Sequence, residues 1–580
     1  MDYLRRKAKE KPSGTIRTEE HVELQHVEYL LQILGDPGPF QIIQFILLGL
    51  PFISMSFDDF MVIFYSLAPT SVRCYGGPHD VMDYNSSTST NLSDRTPPVY
   101  VGNSSATACH CPQGFEYTYT GRQWSIIGDM DLICDRSSLV NLASVIYFLG
   151  EACATPFSGW TADRFGRRPV LLVSNTIHAI LLTALVFSRD YTSFVLLRFF
   201  IGATKQAMNS STYVLMMEWI TARRRGTWGA FSEFYFTLGL LSLALVAYLL
   251  QNWIHIQAFF AAASFAFIIP LYWFAPESLT WLYSKHRPEQ MIETCRFIAK
   301  FNKLDLSEEV VLKIKTFSQN YPEEMNASRN YSFADCFRTP YIRKTTFLCL
   351  ITWFACFFGY LGVTYMNSDM QMASDVYLNL AINGFLEPIP ILLAILVASK
   401  LGHRLPLTFY FLTGGVFAII AGFVGGFGSE HLVAQTALAF ISRMAFFGTL
   451  CVIFVYTTEL FPTDIRSNAF CLCSTNLRIA SLFTPLLPLM SAKSSFKGGG
   501  FILVGVVSMI AAVSTWLLRE TKGQPLPRTV AEVEKMALDI QAKKPQQVPP
   551  LGRWLRKSTA NGGGTGGVEL STQTSQSHRE

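Results

Sequence analysis

Twelve long apolar runs constrain the fold of this chain more than any other feature. They begin near residues 40, 139, 169, 192, 227, 253, 345, 376, 406, 431, 468 and 499. A helix needs about 20 apolar residues to cross a bilayer, and in lipid only a helix or a closed barrel satisfies its own backbone groups. The sequence therefore predicts an all-α polytopic membrane protein with twelve transmembrane helices.

The composition supports this prediction. The 580 residues are 50% hydrophobic and only 15% charged, whereas a soluble protein carries about 25% charged residues. The net charge of +5 is small and indicates no nucleic-acid partner. The first 39 residues are polar and basic, and the first apolar run is too long for a cleaved signal peptide. We therefore expect the lipid bilayer to be the main environment of the chain.

Basic residues are concentrated on one predicted side of the membrane. They lie in the N-terminal segment, after the second run at Arg164, Arg167 and Arg168, and after the fourth run at Arg223, Arg224 and Arg225. The loops after the fifth, seventh and ninth runs have almost none. Because Lys and Arg favour cytoplasmic loops, we expect both termini to be cytoplasmic.

Residues 67–138 then form a large extracellular loop. It holds three glycosylation sequons, at Asn85, Asn91 and Asn103. It also holds four candidate disulfide cysteines, Cys74, Cys109, Cys111 and Cys134. Glycans and disulfides both suit an extracellular location, and four cysteines allow three pairings.

The runs divide into two sets of six. We expect a cytoplasmic N-terminus (1–39), a six-helix bundle (40–274), a cytoplasmic linker (275–344), a second six-helix bundle (345–518) and a cytoplasmic disordered tail (519–580). Residues 162–171 (ADRFGRRPVL) align with residues 398–407 (ASKLGHRLPL). Glu218 precedes Arg225 by seven residues, as Glu459 precedes Arg466. Such repeats are typical of transporters built from two pseudo-symmetric bundles.

Several short strings make the prediction more specific. Residues 159–168 (GWTADRFGRR) resemble the loop signature of the major facilitator superfamily. The chain also resembles the organic cation, carnitine and organic anion transporter family within it. That resemblance rests on PESLTWL (276–282), IAKFN (298–302), YTTELFPTDIR (456–466), ETKGQPLP (520–527) and the DLICD string (131–135) that closes the outer loop. It implies the major facilitator fold and transport of small organic ions.

The same motifs supply candidate gating residues. They are Gly159, Asp163, Arg164, Gly166, Arg167, Arg168, Glu218, Arg225, Glu459 and Arg466. Opposite charges among them can pair across the two bundles when the inner gate closes, and they separate when it opens. The alternative is that the arginines merely follow the distribution of positive charge, although that does not explain an acid at Asp163.

Ionisable residues inside the membrane are costly, so they are the first candidates for a substrate site. The resemblance places Arg478, in the eleventh run, where carnitine and anion transporters carry arginine, and an arginine can hold a carboxylate with two hydrogen bonds. The alternative is that Arg478 forms a structural pair between two helices. Glu387 matches an acid of the family and can either attract a cation or pair with an arginine. Adjacent residues on a helix point about 100° apart, so at most one of Asp58 and Asp59 faces a central cavity and can hold an amine. The alternative is that the first helix ends early and leaves both at the outer mouth.

Three further residues complete the candidate site. Trp353 and Tyr360 are seven residues apart and share one face of a helix. Aromatic faces attract ammonium groups, although such a pair more often serves packing. Tyr360 matches an aromatic residue of the family's cavity, and Lys205 lies one position from a lysine of the cation transporters.

These features favour a plasma-membrane uniporter or exchanger of organic cations or carnitine-like zwitterions. The alternatives are an organic anion transporter and a transporter-like receptor that moves no solute. No catalytic constellation, metal site or ATP-binding motif is apparent in the sequence, so we expect no enzyme activity and no cofactor. A small organic ion is the expected partner. The coupling ion and the oligomeric state are left open.

Overall fold

The computed structural model describes residues 20–74, 82–83, 114–319, 333–369, 376–426, 431–493, 498–522 and 530–535. The spanning helices, numbered in chain order, are span 1 (Pro39–Phe60), span 2 (Ser138–Phe165), span 3 (Arg167–Val186), span 4 (Tyr191–Glu218), span 5 (Ala222–Leu250), span 6 (Trp253–Phe274), span 7 (Pro340–Asp369), span 8 (Val376–Leu386 and Pro388–Leu401), span 9 (Arg404–Gly426), span 10 (Leu432–Leu460), span 11 (Thr463–Phe483) and span 12 (Gly499–Leu517).

Shorter elements connect these spans. The helices are Glu20–Leu34, Val62–Tyr65, Ile126–Asp129, Leu279–Ser284, Pro288–Phe301, Glu308–Gln319 and Leu486–Lys493, with 3-10 turns at Cys134–Arg136 and Phe333–Phe337. Strands β1 (Ser71–Cys74), β2 (Met82–Asp83) and β3 (Phe115–Thr118) form a small antiparallel sheet in the order β2-β1-β3.

The twelve-helix prediction is confirmed within the described part of the chain. Eleven of its helices are long and apolar enough to cross a bilayer. Span 4 is the twelfth, and its buried Arg198 and Lys205 make it less apolar than the others. Span 8 is interrupted at Glu387, immediately before Pro388. Proline removes a backbone donor and disfavours helical geometry in the residue before it, which explains the break.

The two halves repeat one packing pattern. Span 1 packs on span 5 as span 7 packs on span 11, and span 3 packs on span 6 as span 9 packs on span 12. Gly150 and Gly202 bring spans 2 and 4 together, since a Cβ at either position would lie within 2.2 Å of a backbone oxygen of the other helix. The halves meet where span 2 contacts span 11 and where span 5 contacts span 8.

The N-terminal helix and the central linker form a second apolar cluster at one end of the first half. Leu30, Leu31 and Leu34 are buried there with Ile298 of the linker. Asn302, the last residue of the IAKFN string, accepts from the backbone N–H of Phe40 at 2.8 Å and donates to the Leu34 carbonyl at 2.6 Å. The string therefore ties the linker to the start of span 1.

Two sequence predictions concern the loop and the tail. Cys134 is disulfide-bonded, but the side chains of Cys74, Cys109 and Cys111 lie outside the described residues, so the pairing stays a prediction. Asn85, Asn91 and Asn103 also lie outside them. Within the tail predicted to be disordered, residues 530–535 are instead helical. Val533 is buried and Glu534 accepts from the backbone N–H of Tyr341 at 3.0 Å, which holds this segment against span 7.

Candidate functional site

Two charged clusters lie where the sequence motifs join neighbouring spans, on what we call the motif side. In the first half, Arg167 lies 2.8 Å from Asp163 and 3.4 Å from Glu218. Glu277 of the PESLTWL string accepts from the backbone N–H groups of Arg167 at 3.1 Å and Arg168 at 3.2 Å. Burial raises the pKa of the Glu277 carboxyl, and these N–H groups oppose the shift by stabilising its anion.

The second half has a matching cluster. His403, which aligns with Arg167 in the repeat, lies 3.0 Å from Glu459, and the Thr521 hydroxyl donates to Glu459 at 2.6 Å. Arg168 donates to the Tyr272 carbonyl at the end of span 6, and Arg404 donates to the Trp516 carbonyl at the end of span 12. The weak sequence repeat therefore corresponds to a repeated set of contacts.

The remaining predicted gating residues also make local contacts. Arg225 donates to the carbonyls of Met217 and Ile220, and Arg466 donates to the carbonyl of Phe461. Arg164 is exposed and lies 5.2 Å from the ring centre of Trp160. The ion pairs found among these described side chains stay within one half, so pairing across the halves stays a prediction for another conformation.

A chain of buried ion pairs fills the middle of the first half and reaches the second. Lys205 lies 2.6 Å from both Asp59 and Glu151. Arg478, on span 11, donates to the other oxygen of Glu151 at 2.9 Å, across the contact between the halves. Tyr147 donates to Asp59 at 2.9 Å. Arg478 keeps one buried nitrogen, Nε, without a hydrogen-bond partner among the described residues.

Asp58 has a separate environment from Asp59. Its carboxylate lies 3.0 Å from Nε2 of His178 on span 3, and Arg198 donates to its backbone oxygen at 3.4 Å. Span 1 extends to Phe60, so it does not end before these acids, and both are buried. The guanidinium of Arg198 also lies 4.1 Å from the ring centre of Tyr147.

Glu387 is the centre of a second buried cluster. It accepts from Arg443 and Tyr360, each at 2.8 Å, and from Thr237 of span 5 at 2.7 Å. The Thr237 bond crosses the contact between spans 5 and 8. The sequence allows Glu387 either to attract a cation or to pair with an arginine, and in the structure it pairs with Arg443. The guanidinium of Arg443 also lies 4.8 Å from the ring centre of Tyr360.

The two predicted aromatic residues lie in different surroundings. Trp353 is fully buried, donates to Thr457 at 2.8 Å and packs against Phe454 and Phe470. Trp353 is therefore part of the packed core, as the packing alternative predicts. Tyr360 is nearer the contact between the halves, with Phe60 of span 1 at 6.3 Å between ring centres. Contact of either ring with a substrate stays a prediction.

The halves are also joined beyond the buried ion pairs, on the side of the 67–138 loop. Phe64 stacks on Tyr377 at 5.6 Å, and Tyr365 donates to the Asp59 backbone oxygen at 2.9 Å. Toward the motif side, Tyr213 and Phe454 approach to 6.1 Å. The buried ion pairs therefore lie between contacts that join the halves on both sides.

The family model of the Major Facilitator Superfamily matches residues 134–485. The chain belongs to the Major Facilitator Superfamily. This membership agrees with the paired halves and repeated motif clusters described above. It assigns the chain to multi-pass membrane transporters rather than to enzymes.

Curated relatives within the superfamily are similar over most of their length. Solute carrier family 22 member 6 of Pseudopleuronectes americanus is 27% identical over 543 residues, which cover 87% of this chain and 94% of that protein. Organic anion transporter 3 of Homo sapiens is 28% identical over 535 residues, covering 90% and 96%. The similarity to these proteins covers most of the chain, and it agrees with the family resemblance that the short sequence motifs indicate.

Solved structures of the superfamily have the same fold. The inward-open xylose transporter XylE from E. coli has a TM-score of 0.59 at 17% identity, covering 86% of this chain and 99% of that one. XylE bound to 6-bromo-6-deoxy-D-glucose gives 0.53 at 16% identity, covering 89% and 100%. At such low identity these likenesses establish the fold alone.

Several residues of this superfamily member escape sequence reasoning. His178 and Thr237 are not selected, although His178 is a polar residue within an apolar run. Glu277 and His403 lie inside strings that the sequence analysis quotes, yet their contacts depend on how distant loops meet. Glu151 and Arg443, by contrast, are identified from the sequence as further intramembrane candidates, with Arg443 expected to balance an acid. Their pairing with Arg478 and Glu387 is not predicted, because these partners are far from them in sequence.

Gly166 of the superfamily signature gives a stability prediction. Its φ is +109°, and a Cβ there would lie 2.4 Å from the Glu277 carboxylate. We expect Gly166→Ala to cost about 1–3 kcal/mol, which thermal unfolding of the detergent-purified protein would show as a lower midpoint. Gly159→Ala is the matched control, because its Cβ meets nothing within 4 Å. Equal midpoints for the two variants would contradict the prediction.

Proposed function

We propose that this chain is a secondary transporter of small organic anions that works by alternating access. The observation that carries the proposal is the environment of Arg478. It lies at the contact between spans 2 and 11, is 8% exposed, and has a buried Nε without a partner among the described residues. A guanidinium has five donors and suits carboxylates and sulfonates. Arg478 can therefore bind an anion while it stays beside Glu151.

The three acids predicted to attract a cation are already engaged. Asp59 lies beside Lys205, Glu387 beside Arg443, and Asp58 beside His178. A cationic substrate at any of these acids would have to displace a protein partner. The preference of the sequence for a cation or a carnitine-like zwitterion thus loses its main support. The similar proteins named organic anion transporter 3 favour the alternative, an anionic substrate.

Alternating access gives the repeated clusters a role. The Arg167 and His403 clusters each organise one half on the motif side, while aromatic contacts join the halves on the other side. Rocking of one half against the other would exchange the Phe64–Tyr377 contact for contacts between the motif clusters. A substrate shifts the balance between the two conformations only as far as it binds one of them more tightly.

We also propose that the transporter lies in the plasma membrane with both termini in the cytoplasm and residues 67–138 outside. The supporting features are the basic motif-side loops and the sequons at Asn85, Asn91 and Asn103. Glycosidase treatment tests this orientation. It should reduce the apparent mass of the expressed protein, and the triple Asn→Gln variant should already migrate at the lower mass.

Uptake into cells that express the chain tests the proposed substrate class. Three labelled compounds are compared at equal concentration: an aromatic sulfonate, a quaternary ammonium ion and carnitine. The proposal predicts that the sulfonate enters fastest and that unlabelled aromatic carboxylates compete with it. Faster uptake of the ammonium ion or of carnitine would overturn it. Solute-induced stabilisation of the purified protein without flux of any compound would favour the receptor alternative.

A further inference from the structure

Glu233 is an acid that the ion pairs described above do not include. It lies on span 5, and its side chain is half-buried. Thr237, one helical turn further along the same span, makes the bond to Glu387 that joins spans 5 and 8. Residues four apart lie on one face of a helix. Glu233 therefore faces the same contact between the halves, one turn nearer the motif side.

Glu233 differs from the other acids within the membrane spans in its charge pairing. The acids Asp58, Asp59, Glu151 and Glu387 each have a basic or imidazole partner within 3.0 Å. The described residues include no hydrogen-bond or ion-pair partner for the Glu233 carboxylate. The basic groups beside these four acids are Lys205, Arg443 and Arg478, together with the imidazole of His178. Glu233 can therefore gain or lose a proton without breaking an ion pair among the described residues.

The groups around Glu233 supply no positive charge to pair with it. Glu387 on span 8 is the charged side chain that acts on it, and the two acids repel. Tyr213 of span 4, Tyr360 and Cys356 of span 7 and Cys451 of span 10 also interact with it electrostatically, and none is a cation. Arg443 is held by Glu387. On span 1 the charged residues are Asp58 and Asp59, both at the opposite end.

We propose that Glu233 is the proton-binding residue of the transporter and that an organic anion and a proton cross together. This inference rests on the proposed function. An anion bound at Arg478 brings one negative charge into the interior, and the proton on Glu233 offsets it. The proton moves from water to the carboxylate on one side of the membrane and returns to water on the other, so the combined transfer carries no net charge. Glu233 lies one helical turn from the Thr237–Glu387 bond. Its proton is therefore held at the contact between spans 5 and 8, which changes when the halves rock.

Proteoliposomes that contain the full chain test the proposal. An aromatic sulfonate is the probe, because it stays ionised and does not leak through lipid as a neutral acid. With the medium one pH unit more acidic than the lumen, one-to-one symport accumulates the sulfonate up to about tenfold, since each unit is a factor of ten in proton activity. Addition of the sulfonate without a gradient should also make a weakly buffered medium more alkaline.

Glu233→Gln should remove both responses and retain counterflow exchange of labelled for unlabelled sulfonate. That exchange also shows that the variant is folded. Glu233→Asp should keep both proton responses, and Glu293→Gln, which alters an exposed acid of the linker, should behave as the wild type. Wild-type accumulation that ignores the gradient, or gradient-driven accumulation by Glu233→Gln, would overturn the inference. Absence of any sulfonate flux in the wild type would instead refute the proposed function.

Discussion

Replacement of Arg478 by alanine should lower the uptake of an aromatic sulfonate or carboxylate by about 10- to 100-fold. A hydrogen bond to a charged group contributes about 1.5–3 kcal/mol, and 1.4 kcal/mol corresponds to about a factor of ten. The variant should still fold, because Lys205 remains 2.6 Å from the Glu151 carboxylate that Arg478 leaves. Uptake is normalised to the amount of protein at the cell surface.

Three further variants separate anion binding from a purely structural role. Arg478→Lys keeps the charge but loses the planar fork of donors, so we expect an intermediate loss of uptake. Glu151→Gln leaves Arg478 charged and hydrogen-bonded, so uptake should change only a few-fold. If Arg478 serves only to hold spans 2 and 11 together, Glu151→Ala, which removes its partner on span 2, will lower uptake as much as Arg478→Ala does. That result would exclude the assigned role.

The fold could be predicted from the sequence because lipid imposes a strong and simple constraint. Each span must be about 20 residues long and mainly apolar, so the twelve runs are visible without any tertiary information. Even span 4, which carries Arg198 and Lys205, is found from its apolar flanks. The repeat of residues 162–171 at 398–407 also anticipates that His403 occupies the position of Arg167.

The partners of the buried charges could not be predicted in the same way. Glu151 and Arg478 are 327 residues apart, and Glu387 and Arg443 are 56 apart. Which charges meet depends on the rotation and tilt of each helix, and these are set by packing against neighbouring spans. The sequence therefore identifies Asp59, Lys205 and Arg478 as candidates, but only the structure reveals that Lys205 and Glu151 link Asp59 to Arg478.

The same dependence on partners makes Arg443 critical for stability. Its guanidinium lies 2.8 Å from Glu387, and both side chains are almost fully buried. Arg443→Ala would leave the Glu387 carboxylate with only the hydroxyls of Tyr360 and Thr237. Removing one member of a buried ion pair typically costs about 3–5 kcal/mol, because the remaining charge is uncompensated. We expect a large fall in the thermal unfolding midpoint of the purified protein.

The double variant Arg443→Met with Glu387→Gln distinguishes this cause from lost packing. Methionine keeps much of the arginine volume, and the glutamine oxygen still accepts from Tyr360 and Thr237 without a charge. Since replacing both members of a buried pair is often nearly neutral, the double variant should recover most of the lost stability. Thr237→Val, which removes one hydrogen bond to Glu387, should cost only about 0.5–1.5 kcal/mol. A double variant as unstable as Arg443→Ala would show that the guanidinium acts through its shape rather than by neutralising Glu387.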